Sequence, residues 1–406
     1  MQKNKLQYKF LFIISTAYLA VDMNMQGMLG LMPFLSEEFA LNSSQVGLYS
    51  TFYFFLATIV AVFSGNIVDR IGPKRGLVFG TTLVGLLMFF HAQVPSYSLI
   101  LGLALFTGLA FSILTPSLNK AVMKKVSSEN RATSMGIMQM GGNLGGFAGA
   151  IILPFLGNRL GWRNALIISS IFALLMGLFI YLFYKEENKK EEEIVKEKND
   201  LSFKDSLKSL FNNKNLIIVC LFALILGFNS GSIPAHYTLY LTQDLDLSKT
   251  AAGFAFGLIH IGSIIARPFW GWFDDKFLNG SRSKGLAFIG ISLAATTLYY
   301  ALILSNIEPS IYLISLSSLV LGFMCLGWLG LYFTTIVELA SEELAGIGTG
   351  LSLVFMRTGV LASPPLFGLL ADLNNSYRLS WLILSLVTFT FTFVFAYLFR
   401  NKYDRV

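Results

Sequence analysis

The sequence predicts an all-α membrane protein: twelve transmembrane helices in two pseudo-symmetric six-helix bundles. Three observations support that class. Of 406 residues, 54% are hydrophobic and only 13% charged, with a mean hydropathy of +0.64, whereas a soluble domain carries about 25% charged residues. Twelve apolar runs approach or exceed the roughly 20 residues needed to cross a bilayer as helix. The last six runs echo the first six across a charged divider.

The first run, 10–35, is too long for a signal-peptide core and has no small-residue cleavage site, so it is expected to remain as span 1. It contains AVDMNMQGMLG, in which Asp22, Asn24 and Gln26 are polar within an apolar span. Spans 2 to 4 are expected at 44–66, 76–93 and 97–121, and spans 5 and 6 at 132–157 and 164–184. Span 5 carries Gly136, Gly145 and Gly149, small residues that let helices pack closely in a membrane. Residues 185–214 are charged and low in complexity, reading as a cytoplasmic linker with a short amphipathic helix near 203–211 lying at the membrane surface. Spans 7 to 12 follow at 215–241, 249–273, 285–305, 310–337, 345–371 and 379–399. The chain thus divides into an N-terminal bundle 1–184, the linker 185–214 and a C-terminal bundle 215–406.

Basic residues orient these spans. With both ends cytoplasmic, 24 of the 30 lysines and arginines fall inside and only Arg159, Arg163, Lys249 and Arg378 outside. That is a strong positive-inside bias, predicting a multi-pass protein of the cell (inner) membrane. The acidic Glu338, Glu342 and Glu343 oppose the trend without overturning it. The net charge of +7 therefore reflects a lipid bilayer partner, not nucleic acid. Cys220 and Cys325 lie in apolar runs without metal-ligand spacing, and no catalytic constellation is present, so neither a metal, a cofactor nor an enzyme is expected.

The repeat is visible in motifs. Span 2 ends in GNIVDRIGPKRG and span 8 in GWFDDKFLNGSRSKG. Aligning Gly65 with Gly271 places Asp69 on Asp275 and Arg70 on Lys276. Gly136 and Gly145 of span 5 likewise align with Gly350 and Gly359 of span 11. Repeated halves with a site at their interface are a transporter signature. The stretch GNIVDRIGPKR resembles the loop signature of the major facilitator superfamily, and the twelve spans, linker and degenerate second copy extend the resemblance over the whole chain. Gly65, Asp69, Arg70, Asp275 and Glu338 are the candidate gating residues. Gly65 would let span 2 pack closely on a neighbour. Asp69 would accept from a helix N-terminus or pair with a basic residue across the inner gate. Lys74 and Arg75 would meet anionic headgroups.

The two remaining basic residues, Arg267 and Arg357, lie inside spans 8 and 11. Arg267 precedes Asp275 by eight residues, about 12 Å, and Arg357 precedes Asp372 by fifteen, about 22 Å, so neither easily snorkels out. A cation near the bilayer centre costs from about 2.5 to well over 10 kcal/mol, and persists where it faces a polar interior with a partner. Asp22 is the one acidic residue well inside a span. Two cations facing one anion leave a positive charge for a substrate. Their repeat equivalents are Ala61 and Asn143, so the charge belongs to one half only. The planar guanidinium binds carboxylate or nitrate-like anions through two parallel hydrogen bonds.

Trp328 and Tyr332 of CLGWLGLYFTTIVE stand four apart, on one helix face. With arginines in spans 8 and 11, this pair resembles the bacterial oxalate:formate antiporter and monocarboxylate branch of the superfamily. That resemblance implies a small carboxylate clamped between two cations in an aromatic-walled cavity. The branch has lysine where this chain has Arg357, and Asp22 has no assigned counterpart. Gln139, Asn143 and Tyr53 are further candidate substrate contacts. Asp22 is either a proton-coupling carboxylate or an ion-pair partner of an arginine, and His260, seven residues from Arg267, joins a proton relay or packs as a hydrogen-bonded histidine. The expected function is alternating-access transport of small mono- or dicarboxylates by a monomer, with protons as a coupling ion. The alternative is a proton-coupled exporter of drugs or neutral metabolites with Asp22 as the proton site.

Overall fold

The protein is described by a computed structural model covering residues 2–127, 130–185, 203–340 and 344–403. Among the described residues, fourteen α-helices build twelve passes and a fifteenth lies in the linker. The first bundle holds α1 (Gln2–Gly30) with α2 (Met32–Glu38), then α3 (Ser43–Ile71), α4 (Pro73–His91), α5 (Tyr97–Lys125), α6 (Arg131–Leu160) and α7 (Trp162–Phe183). The second holds α9 (Lys214–Gln243), α10 (Lys249–Phe277), α11 (Arg282–Leu302), α12 (Ile311–Leu326) with α13 (Leu329–Ala340), α14 (Ala345–Asn374) and α15 (Arg378–Tyr403). Ten described stretches are long and apolar enough to cross a membrane. The first and third passes complete the twelve. Polar residues dilute both: Asp22, Asn24 and Gln26 in α1, and Lys74 and Arg75 in the first turn of α4.

Two expected spans are broken. Pass 1 interrupts at Leu31, just before Pro33, whose ring cannot sit inside a continuing helix without removing a hydrogen bond. Pass 10 interrupts at Gly327 and Trp328. Carbonyls at that break find side-chain donors: the Trp270 indole reaches Phe323 O at 3.4 Å, and Ser230 Oγ and Trp328 Nε1 both donate to Cys325 O at 2.9 Å. The linker helix is present as α8 (Phe203–Asn212); residues 186–202, the rest of the linker, lie outside the described residues. Leu210 of α8 is buried, and Asn213 caps α9 while donating to Leu339 O at 2.9 Å, which fastens the linker to the second bundle.

Glycine decides how closely helices approach. Cβ atoms at Gly141, Gly145 and Gly149 of α6 would fall on the carbonyl oxygens of Ser15, Leu19 and Met23 in α1. The second bundle repeats the arrangement: Gly359 sits on Leu224 O, Gly227 on Met356 O and Gly231 on Val360 O, joining α14 to α9. Asparagines lock the same elements. Asn24 donates to Ala20 O and Ser169 O at 2.8 and 3.2 Å, and Asn229 donates to Ile225 O and Thr388 Oγ1 at 2.9 and 2.8 Å. Asn24 is therefore a tie between α1 and α7.

Twelve passes return both chain ends to one face, the basic face, and the halves join at the opposite one. There Asp372 of α14 accepts from the backbone N–H groups of Ser43 and Ser44 at 2.7 and 2.9 Å, a carboxylate from one half capping a helix of the other. Thr51 donates to Leu361 O at 2.8 Å, Thr238 to Leu29 O at 3.0 Å, and Lys249 pairs with Glu37. Gly47 lies on the Pro364 backbone, and Gly253 on Ala150 O and Pro154. Toward the basic face the contact ends. Cβ atoms at Gly65, Gly136, Gly271 and Gly350 would meet nothing within 4 Å.

Candidate substrate site between the halves

The candidate site residues lie on α1, α3 and α6 of the first bundle and on α10 and α14 of the second. Arg267 of α10 is half-buried and its Nη1 donates to Gln139 Oε1 of α6 at 3.2 Å. Arg357 of α14 is half-buried and its Nη1 donates to the Ala57 carbonyl of α3 at 3.5 Å. Each guanidinium thus crosses from the second bundle to a neutral acceptor on the first. Among the described residues neither has a carboxylate within 4.0 Å, and Arg267 Nε has no partner at all. Neutral acceptors at the long end of hydrogen-bond distance do not compensate a buried cation. The arrangement can hold an oxyanion.

Asp22 is half-buried, within electrostatic reach of Arg267 but not in an ion pair, and no hydrogen bond to it forms among the described residues. It stands in space that glycine leaves open: a Cβ at position 142 would lie 2.6 Å from Asp22 Oδ2 and 2.9 Å from the Tyr18 ring. One turn along α6, a Cβ at position 146 would lie 2.8 Å from the His260 ring and 3.2 Å from Gln26 Cγ. His260 packs edge-on against Phe256, and its Nε2 has no partner among the described residues. The Gln26 Oε1 and the Tyr53 hydroxyl are likewise buried without partners. Tyr53 lies within electrostatic reach of both Asp22 and Tyr18. Asn143, half-buried, donates back to Gln139 O at 3.5 Å.

Trp328 and Tyr332 do share a face, with ring centroids 5.2 Å apart. Neither is exposed at all in this arrangement, and their polar atoms bond within their own half, Trp328 to Cys325 and Ser230 and Tyr332 to Ser352 O. They hold the break between α12 and α13. Tyr18, Gly142 and Gly146 were not among the expected site residues. A signal for them existed: the doubled glycines of GGNLGG at four-residue spacing make two adjacent faces of α6 narrow. One stripe seats α1, and the other opens room for side chains.

The model of the Major Facilitator Superfamily matches residues 14–351 and 219–405. The chain belongs to the Major Facilitator Superfamily. It is similar to the probable nitrate transporter NarT of Staphylococcus haemolyticus, 24% identical over 92% of each chain. It is also similar to the gentisate transporter of Corynebacterium glutamicum, 24% identical over 84% of this chain and 76% of that one. The crystal structure of a bacterial homolog to the human lysosomal transporter Spinster, in an inward-facing and occupied conformation, shares its fold. The TM-score is 0.81, with 13% identity and 97% coverage of both chains.

At the loop between α3 and α4, Asp69 pairs with Lys120 of α5 at 2.6 Å, inside the first bundle in this arrangement. Its counterpart Asp275 joins Arg282, which also binds Asp274 at 2.8 Å and Glu338 at 3.2 Å, all within the second bundle. Arg70 is exposed, and Gly65 packs on no neighbouring helix. The physical reason is common to all: with the halves parted at the basic face, no gate residue has the other half within reach.

Proposed function

We propose that this superfamily member is a secondary active transporter of small organic anions, mono- or dicarboxylates, working by alternating access. The observation that carries this reading is the pair Arg267 and Arg357, each extended across the interface to a neutral acceptor and neither in a salt bridge among the described residues. Planar guanidinium forks suit a trigonal oxyanion. Relatives named for nitrate and gentisate lend support. Basic residues support a cytoplasmic assignment for the basic face, which makes this arrangement inward-facing: open to the cytoplasm and sealed outside by Asp372, Thr51 and Lys249. Rocking of the bundles about the site would close the inner ends, bringing Gly65, Gly136, Gly271 and Gly350 against opposing helices.

The test is thermal stabilisation of the detergent-solubilised protein by oxalate, formate, benzoate and nitrate, set against lipophilic cations. Stabilisation by an anion, lost in Arg267→Gln and Arg357→Gln, is expected. Stabilisation by lipophilic cations alone would instead favour the exporter reading, for which Asp22, unpaired among the described residues, speaks.

A further inference from the structure

We propose that the site takes a carboxylate carrying a hydroxyl about a ring's length from its charge, with the hydroxyl seated between Gln26 and His260. This rests on the anion reading above and names the substrate class within it. Arg267 marks one end of the site. Along α6, its partner Gln139 lies seven residues before Gly146, a separation of about 10 Å. At position 146 the helix has no side chain of its own, and two others take the room. A Cβ there would lie 2.8 Å from the His260 ring and 3.2 Å from Gln26 Cγ. The imidazole comes from α10 and the amide from α1, so each half supplies one polar wall at this level.

Both walls are buried and unsatisfied. His260 is only 5% exposed, and neither its Nε2 nor the Gln26 Oε1 has a partner among the described residues. The pair stands at the closed end of the site. Beyond it a Cβ at Gly257 would fall on Ile151, Gly253 lies on Ala150 O and Pro154, and Thr238 donates to Leu29 O. A group reaching this level therefore arrives from the arginine side. Buried polar atoms without partners are costly, and what would match these two is specific. With its proton on Nε2 the imidazole donates, and the amide oxygen accepts. One hydroxyl does both, accepting from the first and donating to the second. A carboxylate oxygen only accepts, an ammonium only donates, and an aryl C–H does neither. The separation along α6 is too long for a hydroxyl on the carbon next to the carboxylate and suits one across a ring.

The experiment measures Kd by calorimetry on the full chain in detergent for benzoate and its ortho-, meta- and para-hydroxy derivatives, beside oxalate, formate and nitrate. The meta or the para compound should bind at least about tenfold tighter than benzoate, which leaves both buried groups unpaired. The ortho compound, whose hydroxyl folds back onto its own carboxylate, should gain nothing. Gln26→Leu and His260→Leu should each bring the ratio of the two affinities near one, whereas Arg267→Gln should weaken both acids and keep the ratio. A wild-type ratio of one for both far isomers, as when water already fills the space, would overturn this inference and leave the anion reading intact. Binding of oxalate, formate or nitrate but of no aromatic acid would do the same. A preference that survives both substitutions would seat the hydroxyl elsewhere and equally overturn the inference. Failure of every probe to bind would overturn the anion reading, and the inference with it. Should neither substituted protein fold, the wild-type ratio decides.

Discussion

The two bundles share one packing design and carry opposite chemistry. Gly145 on the Leu19 carbonyl and Gly359 on the Leu224 carbonyl are the same contact made twice, as are the Asn24 and Asn229 locks. Where the bundles face each other the likeness stops. The second supplies guanidinium groups, Arg267 and Arg357; the first supplies Asp22, Gln139, a backbone carbonyl and tyrosine hydroxyls. Packing inside a bundle must be solved identically in each half because the helices cross in the same way. The interface is free of that constraint, and charge can be placed on one side only.

The largest effect should come from breaking the charged side. Arg267→Gln and Arg357→Gln each remove a charge-assisted hydrogen bond of about 1.5–3 kcal/mol, roughly a ten- to hundredfold loss in anion affinity. Uptake into proteoliposomes should fall accordingly while size-exclusion profiles stay unchanged. Next comes the shared packing. Gly145→Val and Gly359→Val place Cβ atoms on a carbonyl of the neighbouring helix, and both should prevent recovery of folded protein. Gly136→Ala and Gly350→Ala, whose Cβ atoms meet nothing within 4 Å, should leave the melting temperature in detergent nearly unchanged. Equal damage from all four would refute the division into tight and open ends.

A smaller contrast separates the loops at the basic face. Arg282→Gln strips the fully buried Asp274 of its partner and should cost about 3 kcal/mol. Asp69→Asn breaks a pair whose carboxylate is 66% exposed and should cost less than about 1 kcal/mol. Denaturation of the two variants side by side measures the difference. The smallest effect is at Glu38. Burial would raise its pKa, but hydrogen bonds from Trp162 and Arg163 outweigh that and hold it below its ordinary value of 4.5. A lowered carboxylate contributes stability above its unfolded pKa and loses it as pH falls through the folded one. The contribution should disappear below about pH 4.5 and, at so exposed a position, should not exceed about 0.5 kcal/mol. Comparing the acid limb of melting curves for wild type and Glu38→Gln checks the sign.

Much of the fold was legible because the bilayer imposes it. Apolar length predicts passes, and the glycine alignment of spans 5 and 11 predicted contacts that recur in both halves. The breaks at Leu31 and Trp328 were harder to see, since an apolar run looks the same whether or not its helix is continuous. At the site, Arg267, Arg357 and Asp22 stood out because ionisable groups are rare in apolar spans. Trp328 and Tyr332 were placed on one face correctly, yet which way that face turns depends on neighbours distant in sequence.

By itself the sequence determined the number of passes, the repeat, and an excess of positive charge within the membrane, all of which follow from transfer energies and spacing along one chain. Only the tertiary structure decided which acceptor each arginine meets, that Asp22 stands free of an ion pair among the described residues, and that the halves join at one face and part at the other. Those are distances between helices far apart in the chain, set by how glycine and proline let them approach, and no local pattern encodes them.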